Sequence, residues 1–336
     1  MNTSQSVLFR YGAPFLYSMT LVCYALMMNP GGTAWAQDNY PAKPVKIVAP
    51  YAPGGNADLV TRLYSKDLSE MLGQPFLVEN RPGGGTNIAA EAVARSAPDG
   101  YTLFLLQGTS HGINPALYDK LSYDPIKDFA AVGLIANTAF FLVVNASLPV
   151  NNVRDLINYA KANPGKLSYA SPGIGTPTHL AGEVLNQRGD MGGITHVPYK
   201  GDAPAIPDLI ADRVLFLFSA TALSFVKQGK LKALAVADSK RWPLEPQIPS
   251  MSEAGFPNFE FLSYFGLGAP AKTPEVIQEK INRAMIDIGR RDETRKRLAD
   301  LGLVPLVGTR REATALVASE IEKWRPIVKL AGAKAD

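Results

Sequence analysis

The sequence has 336 residues, 46% of them hydrophobic and 19% charged, with a net charge of +4. Such a composition forms cores and excludes extensive disorder. Its charge balance, with no run of Lys and Arg, excludes a dedicated nucleic-acid binder. The length predicts about two domains.

Arg10 is the one charge before residue 37, residues 15–28 are mostly apolar, and Ala34-Trp35-Ala36 follows a Pro-Gly-Gly turn. A basic start, a short apolar core and an A-x-A site predict a secretory signal, residues 1–36, cleaved after Ala36. The apolar core falls short of the ~20 residues of a membrane span. Cys23, the single cysteine, lies inside this segment, and Val22 precedes it where a lipoprotein site needs a small residue. The exported chain is thus predicted to have no disulfide, thiolate metal site or cysteine nucleophile.

Strand and helix signals then alternate. The run VKIVA at residues 45–49 predicts a buried strand, and apolar residues at helical spacing predict a helix over 57–72. A strand at 76–78, a helix over 86–95 and a strand at 101–106 complete a βαβαβ start. That pattern predicts a parallel sheet with helices on both faces. A second set follows, with a helix over 153–162 capped at Asn152 and strands at 167–170, 194–197, 214–218 and 231–237. Helices are expected up to 185 and over 203–211, and then over 273–291, 293–301 and 311–330. Segments 129–144 and 259–267 are expected to carry the chain from one sheet to the other and back. The fold class is therefore α/β with two lobes, residues 37–140 with 260–336 and residues 141–259, hinged at two crossing segments.

One device repeats four times: a strand ends in a Gly- or Pro-rich turn that opens a helix. The turns lie at 53–56, 82–86, 172–176 and 200–204. Glycine admits a ligand close to the backbone, and the free N–H groups of a first helical turn bind anions. In open α/β sheets these turns stand at the carboxyl ends of strands, where ligands bind. Any single turn of this kind also serves as a plain connection. Neither 83–88 nor 173–178 completes a dinucleotide fingerprint, and no phosphate-binding P-loop motif occurs.

The sharpest rival is a secreted α/β serine hydrolase. Gly108-Thr109-Ser110-His111-Gly112 matches G-x-S-x-G after a strand, with His179 or His196 as base and Asp128 or Asp155 as acid. Against it, Pro115 stands where the elbow's helix should start, no His follows His196, and no oxyanion loop of the HGGG type is present. His111, His179 and His196 lack metal-ligand spacing, so no metal is expected.

The chain resembles the periplasmic substrate-binding receptors of tripartite tricarboxylate transporters over essentially its whole exported length. The motifs that carry the resemblance are Ala52-Pro53-Gly54-Gly55-Asn56-Ala57-Asp58, Val78-Glu79-Asn80-Arg81-Pro82-Gly83-Gly84-Gly85, Asp99-Gly100-Tyr101-Thr102-Leu103 and Ile113-Asn114-Pro115-Ala116-Leu117-Tyr118. Further on come Ser171-Pro172-Gly173-Ile174-Gly175-Thr176-Pro177-Thr178-His179, His196-Val197-Pro198-Tyr199-Lys200-Gly201 and Glu253-Ala254-Gly255-Phe256-Pro257. The resemblance implies a type II periplasmic-binding fold that closes on a small carboxylate. It implies a monomeric periplasmic receptor, without cofactor or catalytic residues, that serves membrane transporter subunits. By position it implies ligand contacts at Tyr51, Pro53, Gly54, Gly55 and Asp58, then at Thr109 and Ser110. In the second lobe it implies Ser171, Gly173, Gly175, Thr176 and His179, then Tyr199, Gly201 and Ser219. These loops contain no arginine, so the carboxylate is expected to rest on backbone N–H groups and hydroxyls. In one place the chain departs from the pattern. Where such receptors usually carry acids in a V-D-V-M-F-D run, residues 214–219 read VLFLFS, with Leu215 and Ser219 in the acidic positions. With Phe140, Phe141, Phe218, Tyr264 and Phe265 nearby, an apolar or aromatic carboxylate is expected rather than an amino acid.

Overall fold

The structure is a computed structural model that describes residues 39–333. The signal segment and its cleavage site lie outside the described residues.

The first lobe begins with strand β1 (Val45–Ala49), helix α1 (Asn56–Leu72), β2 (Phe76–Asn80), α2 (Asn87–Ala94) and β3 (Thr102–Gln107). A short helix, α3 (Asn114–Leu117), and a ten-residue strand, β4 (Phe129–Thr138), follow. The second lobe holds β5 (Phe141–Asn145), α4 (Val153–Lys161), β6 (Ser168–Ser171), α5 (Pro177–Gly189) and β7 (Thr195–Pro198). It continues with α6 (Asp202–Ile210), β8 (Phe216–Ser219), α7 (Leu223–Lys227) and β9 (Leu231–Val236). The chain then returns through β10 (Ser263–Pro270), α8 (Glu275–Arg290), α9 (Asp292–Asp300), β11 (Leu303–Pro305) and α10 (Arg310–Ala331).

The sheets have the orders β11-β4-β10-β3-β1-β2 and β7-β6-β8-β5-β9. The expected parallel arrangement holds for β2-β1-β3 and for β7-β6-β8 only. Beside each parallel triplet runs an antiparallel strand, β10 in the first sheet and β5 in the second. Direction explains the mixture. The parallel strands run toward the cleft between the lobes, whereas β10 and β5 each enter from the other lobe and run away from it.

Segment 129–144 was expected as one extended crossing, and it is two strands in two sheets, with only Ala139 and Phe140 between them. The return crossing lies alongside. Ser263 pairs with Thr138, the Ala237 N–H donates to Phe140 O at 2.8 Å, and the Phe261 N–H donates to Ala237 O at 2.9 Å.

Helices cover both faces of the second sheet, so its central strands β5 and β8 are buried at every residue instead of alternating. Leu142, Val144, Phe216 and Phe218 face one core with Leu180, Leu185 and Phe259. Phe141, Val143 and Leu217, the intervening residues, face another with Ile206, Leu209 and Trp242. In the first lobe Val48, Phe104 and Leu106 pack with Ala89, Ala90 and Val93 of α2.

Helix α10 opens with a capping box, in which Thr309 Oγ1 accepts the Glu312 N–H and Glu312 accepts the Thr309 N–H. At 1.5 Å per residue it runs roughly 33 Å, enough to pass both lobes. Ala313 and Val317 pack into the first-lobe core, while Trp324, Val328 and Ala331 pack into the second-lobe core. Residues 310–331, grouped by sequence with 260–336, thus share their contacts between the two. Among the described residues, no helix is long and apolar enough to cross a membrane.

Trp324 is fully buried, its indole N–H donates to Glu320 Oε2 at 2.7 Å, and its ring lies against Gly112. Trp324→Ala is expected to cost about 3–5 kcal/mol of stability in denaturant unfolding, the usual cost of a large core truncation.

Candidate functional site

The parallel strands of both sheets end at the cleft, so the loops after β1, β3, β6, β7 and β8 gather there. Across it the lobes touch. The Ala52 N–H donates to Lys200 O at 2.9 Å, and the Asn56 N–H donates to Thr221 Oγ1 at 3.1 Å. A β-carbon on Gly54 would stand 3.5 Å from that of Ala203, in ordinary contact.

The contacts surround an inner cavity with about 60 Å³ of internal space. Tyr51, Ala52, Gly55, Asn56, Ala57 and Gln107 wall it from the first lobe, and Pro172, Thr176, Pro177, Thr178, Asp202 and Ala220 from the second. Thr138, Phe140, Ser263 and Phe265, on the crossing strands, complete it. No Lys or Arg is in this lining. Three helices begin at it instead, since Ala57, Thr178 and Asp202 all lie in first turns, of α1, α5 and α6. First-turn N–H groups have no acceptor within their helix, and the helix dipole adds positive potential. Such a cavity is suited to an anion held by neutral donors.

A chain of polar groups stiffens the first-lobe wall. The Tyr51 hydroxyl lies 3.1 Å from Thr109 Oγ1 and donates to Gln107 Oε1 at 3.4 Å. Gln107 Oε1 also accepts the Thr109 N–H at 2.6 Å, and its Nε2 donates to Ser110 Oγ at 3.2 Å. Burial raises the Tyr51 phenol, so the group stays neutral. Behind the turn before α1, Asp58 accepts the Gly54 N–H at 3.0 Å, Asn80 Nδ2 at 3.0 Å and Arg62. Burial works to raise the Asp58 carboxyl, but these hydrogen bonds and the Arg62 charge outweigh it and hold the group below the ordinary carboxylate value.

In the second lobe Thr176 caps α5, accepting the His179 N–H at 3.2 Å and donating to Gly173 O at 2.8 Å. With that hydrogen committed, Thr178 is the donor in the 3.2 Å contact between the two hydroxyls. Gly175 has φ +74°, and a β-carbon there would collide with Leu117 of the first lobe. Gly201, at φ +134°, lies beside Ala52, where a β-carbon would stand 3.4 Å from the Ala52 backbone nitrogen, in ordinary contact. The His179 and His196 rings stack at 4.1 Å. His179 Nδ1 accepts the Gly175 N–H at 3.2 Å, and His196 Nε2 is 2.7 Å from Ser171 Oγ.

The expected contact residues therefore divide into four groups. Tyr51, Gly55 and Thr176 wall the inner cavity. Tyr51, Gly173, Thr176 and Tyr199 wall an outer cavity at its mouth, together with Gly83, Gly84, Gly85 and Tyr118. Asp58, Thr109, Ser110, Ser171, Gly175, His179, Gly201 and Ser219 stand behind the walls and hold them. Pro53 and Gly54 are exposed on the rim. Of the five aromatic residues singled out, only Phe140 and Phe265 face the cavity, while Phe141, Phe218 and Tyr264 are buried in the cores. Gln107 and Asp202 fall in none of the motifs, and Asn56 and Thr178 lie in motifs without being expected contacts. Their one sequence signal is position, at the end of a strand or the first turn of a helix.

The sequence model described as "Tripartite tricarboxylate transporter family receptor" matches residues 60–333. The chain belongs to that family. Protein BugT of Bordetella pertussis is 32% identical over 300 residues, covering 88% of this chain and 92% of BugT. A Rhodopseudomonas palustris protein solved with adipate is 36% identical with a TM-score of 0.84, over 88% of this chain and 99% of that one. MatC from Rhodopseudomonas palustris with bound malate is 33% identical with a TM-score of 0.81, over 86% and 100%. The chain is thus a solute-binding receptor and not an enzyme, with the two-lobed α/β fold of periplasmic binding proteins. The receptor's Ser110 is fully buried behind the wall, 2.8 Å from Nδ1 of the adjacent His111. His111 Nε2 has no partner, so no acid orients the ring as a hydrolase requires.

All three histidines are neutral in the fold. Burial lowers His111 to about 3 and His179 to about 4; burial and then His179 lower His196 to about 3. The unfolded value is about 6.5, so the unfolded chain takes up protons first and stability falls as pH drops from about 6.5 toward 4. Asp202, which burial raises to about 6, works in the opposite direction between about 6 and 4 and offsets part of this loss. Denaturation midpoints measured from pH 7 to 4 should decline, and His196→Gln should flatten the decline.

Proposed function

We propose that the receptor captures a small carboxylate in the inner cavity and delivers it to the membrane subunits of a tripartite tricarboxylate-type transporter. It does so as a periplasmic monomer, after cleavage following Ala36. The observation that carries the reading is the cavity lining: first turns of helices from both lobes, hydroxyls and amides, and no cationic side chain. The adipate and malate held by related structures support the same ligand class. The two crossing segments at Ala139-Phe140 and 261–263 serve as the hinge. Ligand stabilises the closed form because only that form brings the donors of both lobes within reach. Hinge closure around a ligand is the general behaviour of periplasmic binding proteins.

Thermal unfolding should rise with a mono- or dicarboxylate, since a ligand at 100 times its dissociation constant adds about 2.7 kcal/mol. Binding without turnover is expected, with Ser110→Ala leaving the protein inert toward esters, as the parent is. An ester or amide cleavage lost in Ser110→Ala would overturn the reading. Gly175→Val, which drives a side chain into Leu117, should hold the lobes apart. It should weaken binding by well over the ~1 kcal/mol of a generic glycine effect. Distances between labels at Lys66 and Lys161 should shorten with ligand in the parent and less in the variant.

A further inference from the structure

Asp202 is the only acidic residue in the inner-cavity lining, and one of its oxygens is unmatched. It opens α6, and its Oδ2 accepts the Ser219 hydroxyl at 2.8 Å. Ser219 Oγ itself accepts the Ala222 N–H at 3.2 Å, so the serine is held in this orientation. Oδ1 is shut from solvent and has no hydrogen-bond partner. The Thr221 hydroxyl stands beside the same carboxylate, but its single hydrogen goes to Asn56 Oδ1 at 3.1 Å. The Asn56 amide is fixed in that sense because its Nδ2 donates to Leu301 O at 2.9 Å. Neither neighbouring hydroxyl therefore gives its hydrogen to Oδ1. A buried acceptor left unmatched is costly, and more so when charged. Burial accordingly raises this carboxyl to about 6, which still leaves it mostly ionised at neutral pH.

The place of Asp202 sets what a ligand meets. Helix α6 starts against the turn that precedes α1, with Gly54 facing Ala203 and Ala52 bonded to Lys200. An acid at that junction repels a second carboxylate there. The first turn of α5, at Thr178, is left as the seat for the anion.

We propose that Asp202 determines specificity: the receptor takes a carboxylate that also carries an O–H or N–H donor, bonded to Asp202 Oδ1 while the carboxylate rests on the first turn of α5. This rests on the carboxylate-receptor reading above, and it sets a donor-bearing acid, an amino acid included, against the expectation of an apolar or aromatic carboxylate drawn from Leu215, Ser219 and the aromatic neighbourhood.

The test is calorimetry on the whole exported protein with two matched series. Succinate, malate and aspartate differ only in hydrogen, hydroxyl or ammonium at one carbon, and 3-phenylpropionate, phenyllactate and phenylalanine repeat that change on an aromatic acid. In at least one series a donor-bearing member should bind about tenfold or more tightly than its parent acid, the scale of one good hydrogen bond to a charged group. Asp202→Ala should erase that preference. Asp202→Asn keeps the shape, but Ser219 holds its amide oxygen and leaves the NH2 in the place of Oδ1, so it too should lose the preference. Unchanged thermal unfolding of Asp202→Asn guards against a folding defect. Parent acids that bind as tightly as the donor-bearing ones, or a preference that survives in Asp202→Ala, would overturn the inference and leave the receptor reading intact. If no member of either series binds, both fall together.

Discussion

The receptor's architecture depends on one constraint: two strands must leave one sheet and enter the other side by side. The hydrogen bonds linking Phe140, Ala237 and Phe261, with the Ser263–Thr138 pair, tie the outgoing and returning chain together at the waist. An entering strand runs away from the cleft, so it lies antiparallel to neighbours that run toward it. Every parallel strand then delivers its loop to the cleft. The waist itself becomes floor, which is why Thr138, Phe140, Ser263 and Phe265 wall the cavity. Alternation does the sorting, since Phe140 and Phe265 face the cavity while Phe141 and Tyr264 are buried in the cores.

The electrostatics follow from the same geometry. Strand ends become helix starts within a few residues, so the first turns of three helices open on one small volume. The residues behind them are kept uncharged, through burial of Tyr51, His179 and His196. The charged groups nearby are turned to structural use. Asp58, for example, spends its oxygens on Gly54, Asn80 and Arg62, and so fixes the turn without facing the cavity. Fixed partial charges of this kind need no rearrangement when an anion arrives, unlike the long side chain of an Arg or Lys, which must be ordered first.

Much of this was legible in the sequence because the signals are local. VKIVA is a strand over the very residues predicted, and each Gly-rich turn does precede a helix. Strand direction was not legible, because periodicity says which residues are buried and nothing about which way a strand runs. Helix α10 shows a second limit. Its apolar residues have helical spacing throughout, but Ala313 and Trp324 serve different cores, and spacing alone does not divide one helix between two lobes. At the site, loops were found and side chains were not. The turn motifs at 53–58 and 171–179 stand at the cavity, yet Asp58, Ser171 and His179 brace it from behind. The residues that line it include Ala57 and Thr178, in first helical turns whose N–H groups any residue but proline supplies. Side-chain identity carries little information about such a contact.

Asp202 and Ser219 show what position-by-position transfer misses. The end of β8 has Ser219 where an acid was expected, and by sequence alone that is a lost negative charge. In space the loss is made good from α6, because the Asp202 carboxylate reaches the Ser219 hydroxyl and extends past it to the cavity wall. The serine is then the group that orients the acid, and the acid keeps one oxygen for something else. An acidic side chain at the first turn of a helix is a routine stabilising device, so nothing in the sequence marks Asp202 out among the turn residues. What separates it from that routine role is its Oδ1, buried and unpartnered on a residue of the cavity lining, with the Ser219 and Thr221 hydroxyls both directed to other oxygens. A fold with a free choice would pair that oxygen or expose it. Keeping it unpaired within a binding cavity is explained if its partner arrives with the ligand.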